Sequence, residues 1–352
     1  MQRFRDFLKR KDIEISLRRY GIDALSAMAQ GLFCSLLIGT IIKTLGAQLG
    51  VPFLTDIGTY AMSVSGPAMA IAIGYALQAP PMVLFSLVPV GFATNAMGGA
   101  GGPLAVLVTA VVAAEFGKAV SKETKVDILV TPIVTILVGI GLAMLVAAPI
   151  GKGASWVGNI IMWATEQQPF VMGIVVSVIV GIALTLPISS AAICSVLGLT
   201  GLAGGAAVAG CCAQMVGFAV MSFRENGVGG LVSQGLGTSM LQMPNIIRNP
   251  RVWIPPTLAS AITGPIATCL FHLEMNGPAV SSGMGTCGLV GQIGVYTGWL
   301  NDIAAGTKAA ILPMDWVGLI LICFVLPAVL TLLFAFFLRK WGWIKGGDLK
   351  LQ

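Results

Sequence analysis

Long apolar stretches separated by short polar breaks dominate the chain. By length and turn signals they fall near 24–45, 56–78, 80–97, 103–120, 126–149, 169–187, 189–203, 205–222, 256–275 and 315–339. A stretch of about 20 apolar residues is long enough to cross a hydrocarbon core as a helix, and within lipid the backbone must satisfy its own hydrogen bonds. The pattern predicts an all-α polytopic membrane protein with ten crossings, and it excludes a soluble fold carrying one anchor.

Two stretches break the pattern. Pro278-Ala279-Val280-Ser281-Ser282-Gly283-Met284-Gly285-Thr286 and the residues that follow, to about 298, are apolar but too rich in glycine for a spanning helix. They are expected to form a re-entrant hairpin near 276–298; the alternative, a short eleventh span, would put the C-terminal lysines outside. Thr185-Leu186-Pro187-Ile188-Ser189-Ser190, followed by four glycines up to 205, resembles it and predicts a hairpin near 187–204. Each stretch sets a proline two or three residues before a Ser-Ser pair. Paired, interrupted apolar segments are the sequence mark of a binding site built from half-helices, so Ser189, Ser190, Ser281 and Ser282 are candidate solute-binding residues.

The charges orient this arrangement. Residues 1–23 carry Arg3, Arg5, Lys9, Arg10, Lys11, Arg18 and Arg19 and read as a basic amphipathic segment on the anionic lipid of the cytoplasmic leaflet. Lys118, Lys122 and Lys125 after the fourth stretch, Arg224, Arg248 and Arg251 after the eighth, and Arg339, Lys340, Lys345 and Lys350 running into the cytoplasmic tail 341–352 are consistent with ten crossings and both termini inside. The net charge of +6 is accounted for by these flanks, so no nucleic-acid partner is expected.

Composition adds little chemistry. The 45 glycines and 18 prolines suit close helix packing and interrupted helices. The seven cysteines lie in apolar surroundings without CxxC spacing, so neither a metal site nor a disulfide framework is expected. No Walker loop or HExxH motif is present, a serine triad has no place around the single histidine, and no cofactor is implied.

The longest polar interruption, 223–251, contains Arg224, Glu225, Asn226 and Gln234 and is expected on the cytoplasmic side as a gate or as a plain connecting loop. Asn95 to Pro103 reads as a turn. The sharpest candidate is Glu274, a carboxylate beside the only histidine in an apolar stretch, Phe271-His272-Leu273-Glu274-Met275-Asn276-Gly277-Pro278. Such a charge marks a protein-lined polar site. If the chain is unwound before Gly277-Pro278, His272, Glu274 and Asn276 point to one side and can converge on a hydroxylated ligand; if helix persists, His272 faces Asn276 and Glu274 lies apart.

The stretch from Arg224-Glu225-Asn226-Gly227 through Gln234-Gly235-Leu236-Gly237-Thr238-Ser239 and Asn249-Pro250 to His272–Pro278 resembles the EIIC membrane component of bacterial phosphotransferase-system sugar transporters. The likeness is greatest to the divergent group that includes perfringolysin-regulator-like proteins. The resemblance implies a homodimer in the bacterial cytoplasmic membrane. Residues 24–150 would form the dimerisation scaffold, 151–168 an interfacial linker, and 169–340 an elevator-type transport domain with both hairpins. It further implies that Glu274 and His272 bind sugar hydroxyls and that separate EIIB and EIIA proteins phosphorylate the sugar. The Gly-Ile-Thr-Glu motif of the glucose-type branch is absent. A ligand sensor that keeps the fold without transporting is the alternative.

Overall fold

A computed structural model describes residues 2–351, and the regular structure of these residues is helical. The chain forms two compact units, residues 1–153 and 154–352.

The first unit begins with α1 (Gln2–Arg10) and continues through α2 (Ala24–Leu32), α3 (Ile38–Leu49), α4 (Pro52–Ser63), α5 (Ser65–Ala76), α6 (Pro81–Gly98), α7 (Gly102–Val120) and most of α8 (Asp127–Thr165). Pro stands at the first or second position of α4, α6 and α7, where its missing N–H costs nothing. Glycines let neighbouring backbones touch. Gly66 on α5 and Gly91 on α6 face each other so closely that a Cβ on either would overlap the other's carbonyl oxygen. The helical run Pro81–Val120 has the length and hydropathy of a single span, yet it folds back on itself. Gly102 lies against Asn95 and Gly117 against Val83, so α6 and α7 run antiparallel about a turn at Gly99, which takes φ +52°.

The basic N-terminal segment docks on this unit through charge. Arg10 and Lys11 reach Glu123 at 2.8 and 2.5 Å, Arg19 pairs with Asp12, and buried Lys118 donates to the carbonyls of Asp12 and Leu77 at 2.5 and 2.8 Å. The hydrogen bond from Arg19 holds the Asp12 carboxyl below its ordinary range, and that from Lys11 does the same for Glu123.

The second unit contains the end of α8, then α9 (Pro169–Thr185), α10 (Ser190–Val196), α11 (Gly201–Met221), α12 (Phe223–Val232), α13 (Met243–Arg248), α14 (Ile254–Pro265), α15 (Val290–Ala304), α16 (Pro313–Ile320) and α17 (Leu326–Lys340). Its centre is α11, whose Gly, Ala and Cys residues are small enough for α9, α14 and α17 to close around it. A Cβ on Gly210 would overlap the carbonyl of Ser177 on α9.

The expected crossings other than 189–203 coincide with helices among the described residues, 256–275 only as far as Leu270. The exception is a correction: α10 has seven residues, about 10 Å of rise, because Pro187 and Gly198 bracket it with turns. By length and hydropathy, Arg19–Leu49, Asp127–Thr165, Gly201–Met221 and Pro313–Lys340 are also long enough to cross a membrane, and the bent pair α4–α5 can count as one more. Large apolar side chains such as Leu137, Leu145 and Phe336 face outward on α8 and α17, which suits lipid. Residues 278–298 are not a continuous helix: 3₁₀ turns at Ala279–Gly283 and Cys287–Leu289 precede α15.

The two interrupted segments interlock. Ser190 donates to the Gly283 carbonyl at 2.8 Å, and Ser282 donates to the Leu199 carbonyl at 2.6 Å. Gly201 and Met275 exchange backbone hydrogen bonds of 3.1 and 3.0 Å. Each broken backbone thus finds its partner in the other.

Three outcomes follow from this packing. Gly91→Ala should destabilise the folded protein by roughly 1–3 kcal/mol through overpacking, whereas Gly141→Ala, facing open space, should be neutral or stabilise by up to about 1 kcal/mol; thermal unfolding in detergent compares them. Ser190→Ala or Ser282→Ala should each cost about 1–3 kcal/mol, because a buried carbonyl loses its donor, with the same readout. Asp12 and Glu123 titrate lower folded than unfolded, so their contribution is complete above 3.8 and 4.5 and is lost as pH falls through the lower folded values. A spin label at exposed Ile15 should keep constant mobility while the pH stays above 4.5 and loosen as it falls below 3.8; mobility that never changes on acid titration would refute the pairing.

Candidate functional site

The site lies in the second unit, where α14 runs through a π turn to Leu270 and the chain then unwinds. His272 takes φ +46°, a left-handed backbone uncommon outside glycine and the kind of strain found at functional sites. From there the chain is extended. Leu273 and Met275 point inward at 3% and 0% exposure, while His272 and Glu274 point outward. The extended alternative therefore holds, and the period of two sends His272, Glu274 and Asn276 to one side.

That side forms the wall of a cavity of about 420 Å³, within the size range of small-molecule sites. Trp299, Asp302, Thr307, Lys308 and Asp315 complete it, brought in by the end of α15, the following loop and the start of α16. Asn276 is its hub. Its Nδ2 donates to Glu274 Oε2 at 3.0 Å and to Asp302 Oδ1 and Oδ2 at 3.2 and 2.9 Å, while its Oδ1 accepts from the Gly201 backbone N–H at 3.2 Å. Lys308 pairs with Asp315 at 2.9 Å, and Asp315 also accepts from the Leu312 N–H at 2.8 Å, closing the first turn of α16.

Three carboxylates therefore face one lysine, and that lysine is paired with Asp315; Glu274 and Asp302 have no ion-pair partner among the described residues. Asp302 sits in the last turn of α15, where the helix dipole opposes a negative charge. Its position works against helix stability and so points to a role in the cavity. Among the described residues, no group of three His, Cys, Asp or Glu side chains could hold a metal ion.

The other sequence candidates lie elsewhere. None of the four serines lines this cavity: Ser189 caps α10 by accepting from the Ala192 N–H, Ser190 and Ser282 cross-link the two interrupted segments, and buried Ser281 packs at Gly294. Arg224 lies in the first turn of α12. Glu225 accepts from the Leu349 N–H at 2.8 Å, Asn226 also bonds the backbone of the C-terminal segment, and buried Gln234 donates to Ser222. The cavity residues not singled out from sequence are Trp299, Asp302, Thr307, Lys308 and Asp315. The available signal was the charged set Asp302, Lys308 and Asp315 between two apolar runs.

Comparison with known proteins gives one result. No curated protein and no solved structure matches the chain. A family model described as the EIIC component of the phosphotransferase system matches residues 22–351, which include both units' helical cores and every residue of the cavity. The chain therefore belongs to the phosphotransferase-system EIIC family, the membrane permease components for sugars.

Proposed function

We propose that the Glu274–Asn276–Asp302 cavity is the sugar site and that it takes a neutral sugar. The observation that carries this reading is the pair of carboxylates held about one side-chain amide. Carboxylates accept hydrogen bonds from sugar hydroxyls as charge-assisted partners, stronger than neutral ones. The Asn276 amide, His272 and the Lys308 ammonium supply polar groups around them, and Trp299 supplies an apolar wall. An acidic sugar would meet two unneutralised carboxylates, and like charges brought together in a site are strongly disfavoured.

Family membership supports EIIB and EIIA partners as the source of the phosphoryl group. The cavity's charge then favours release of the phosphorylated sugar. A sugar that gains a phosphate gains about −1.5 to −2 of charge and is repelled by Glu274 and Asp302. In this reading residues 154–352 form the moving elevator element and residues 1–153 the scaffold of a homodimer, with the two interrupted segments as re-entrant hairpins. The interlock through Ser190 and Ser282 supports their moving together.

Calorimetry on the purified protein should find binding by at least one neutral sugar and none by uronic acids or sugar phosphates. For the sugar that binds, Glu274→Gln should lose roughly 1.5–3 kcal/mol, about ten- to a hundredfold in Kd. Unchanged affinity in a correctly folded Glu274→Gln protein would place the sugar elsewhere. Flux of the same sugar into proteoliposomes carrying the EIIB and EIIA partners separates a permease from a sensor.

A further inference from the structure

The interruption 223–251 holds an unusual set of buried amides. Gln234 and Gln242 are fully buried and Asn245 nearly so, although side-chain amides are costly to remove from water unless bonded. Their partners explain the burial. Asn226 Nδ2 donates to the Leu349 carbonyl and Asn226 Oδ1 accepts from the Leu351 N–H, each at 2.8 Å, as a neighbouring strand would. Gln242 adds a second bond to the Leu349 carbonyl at 3.0 Å, Asn245 bonds the Lys350 carbonyl at 3.1 Å, and Glu225 accepts from the Leu349 N–H at 2.8 Å. The Leu349 side chain between them is completely buried. The groove reads main chain and one apolar side chain.

The groove is also tied to the second interrupted segment. Gln242 donates to Gln234 Oε1 at 2.8 Å, and the carbonyl of the next residue, Gly235, accepts from Thr286 Oγ1 at 2.5 Å. A hydrogen-bonded path therefore runs from the Leu349 carbonyl through Gln242 and Gln234 to residues 284–289, which flank the interlock with Ser190.

We propose that residues 223–249 form a peptide-binding groove whose ligand is the chain's own segment 343–351, and that this segment is a releasable latch on the second interrupted segment. The latch is independent of which solute the cavity takes. When it is seated, the amides are satisfied and Thr286 is held; when it leaves, Gln242 and Asn245 lose carbonyl partners and the path to Thr286 loosens. The seat joins these hydrogen bonds to one buried apolar side chain, so release exchanges the bonds for bonds to water and exposes Leu349.

Hydrogen exchange on three full or near-full chains tests this: Asn226→Ala, Leu349→Asp, and a chain ending at Gly342 with a synthetic peptide of residues 343–352 added in trans. Backbone exchange at 233–237 and 284–289 should rise by roughly tenfold or more in each variant, the factor expected for two lost hydrogen bonds. The peptide should bind the shortened chain, restore protection at both places and leave the full chain unbound. If the shortened chain does not fold, the two point variants carry the test. Folded variants whose tail exchanges freely while 284–289 stays as protected as in the parent, or a folded shortened chain that does not take the peptide, would overturn the proposal.

Discussion

A backbone broken inside an apolar molecule has to find hydrogen-bond partners within the protein, and the second unit is arranged around that requirement. Neither interrupted segment could satisfy itself. Each supplies a serine hydroxyl to the other's carbonyl, and Gly201 and Met275 exchange a pair of backbone bonds. The extended stretch 271–278 exists because this bridge holds it open, and the cavity exists because that stretch is extended. The site and the interlock are thus one structural solution.

The helices around them meet through the absence of side chains. In lipid, apolar side chains gain little by leaving their surroundings, so close packing has to come from backbone contact. Gly66 against Gly91 and Gly210 against Ser177 are such contacts. The second of them lets α11, in which Gly, Ala and Cys predominate, lie buried at the centre of its unit.

Much of this was legible in the sequence because it is local. The apolar runs gave the helices, Pro and Gly marked the two interruptions, and the two-residue spacing of His272, Glu274 and Asn276 offered an extended arrangement as one of two outcomes. The short helix α10 was misread as a crossing because its apolar residues join those of α11 across Gly198 and Gly201, turns that hydropathy does not register. Asp302 and Lys308 were missed because their pairing with the Glu274 stretch depends on how α15 returns, which no spacing encodes. The buried amides at 234–245 looked like a polar loop for the same reason: their partners lie about a hundred residues away, in the tail.

Asn276 has a consequence of its own. Its amide donates to both cavity carboxylates and accepts from the first N–H of α11. A single rigid plane thus belongs to two equilibria, occupancy of the cavity and closure of the segment pair. Linkage makes their coupling reciprocal. If a molecule binds in the proposed site, whatever free energy it takes from or lends to that plane, the pairing of the two segments feels in equal measure, at the head of α11.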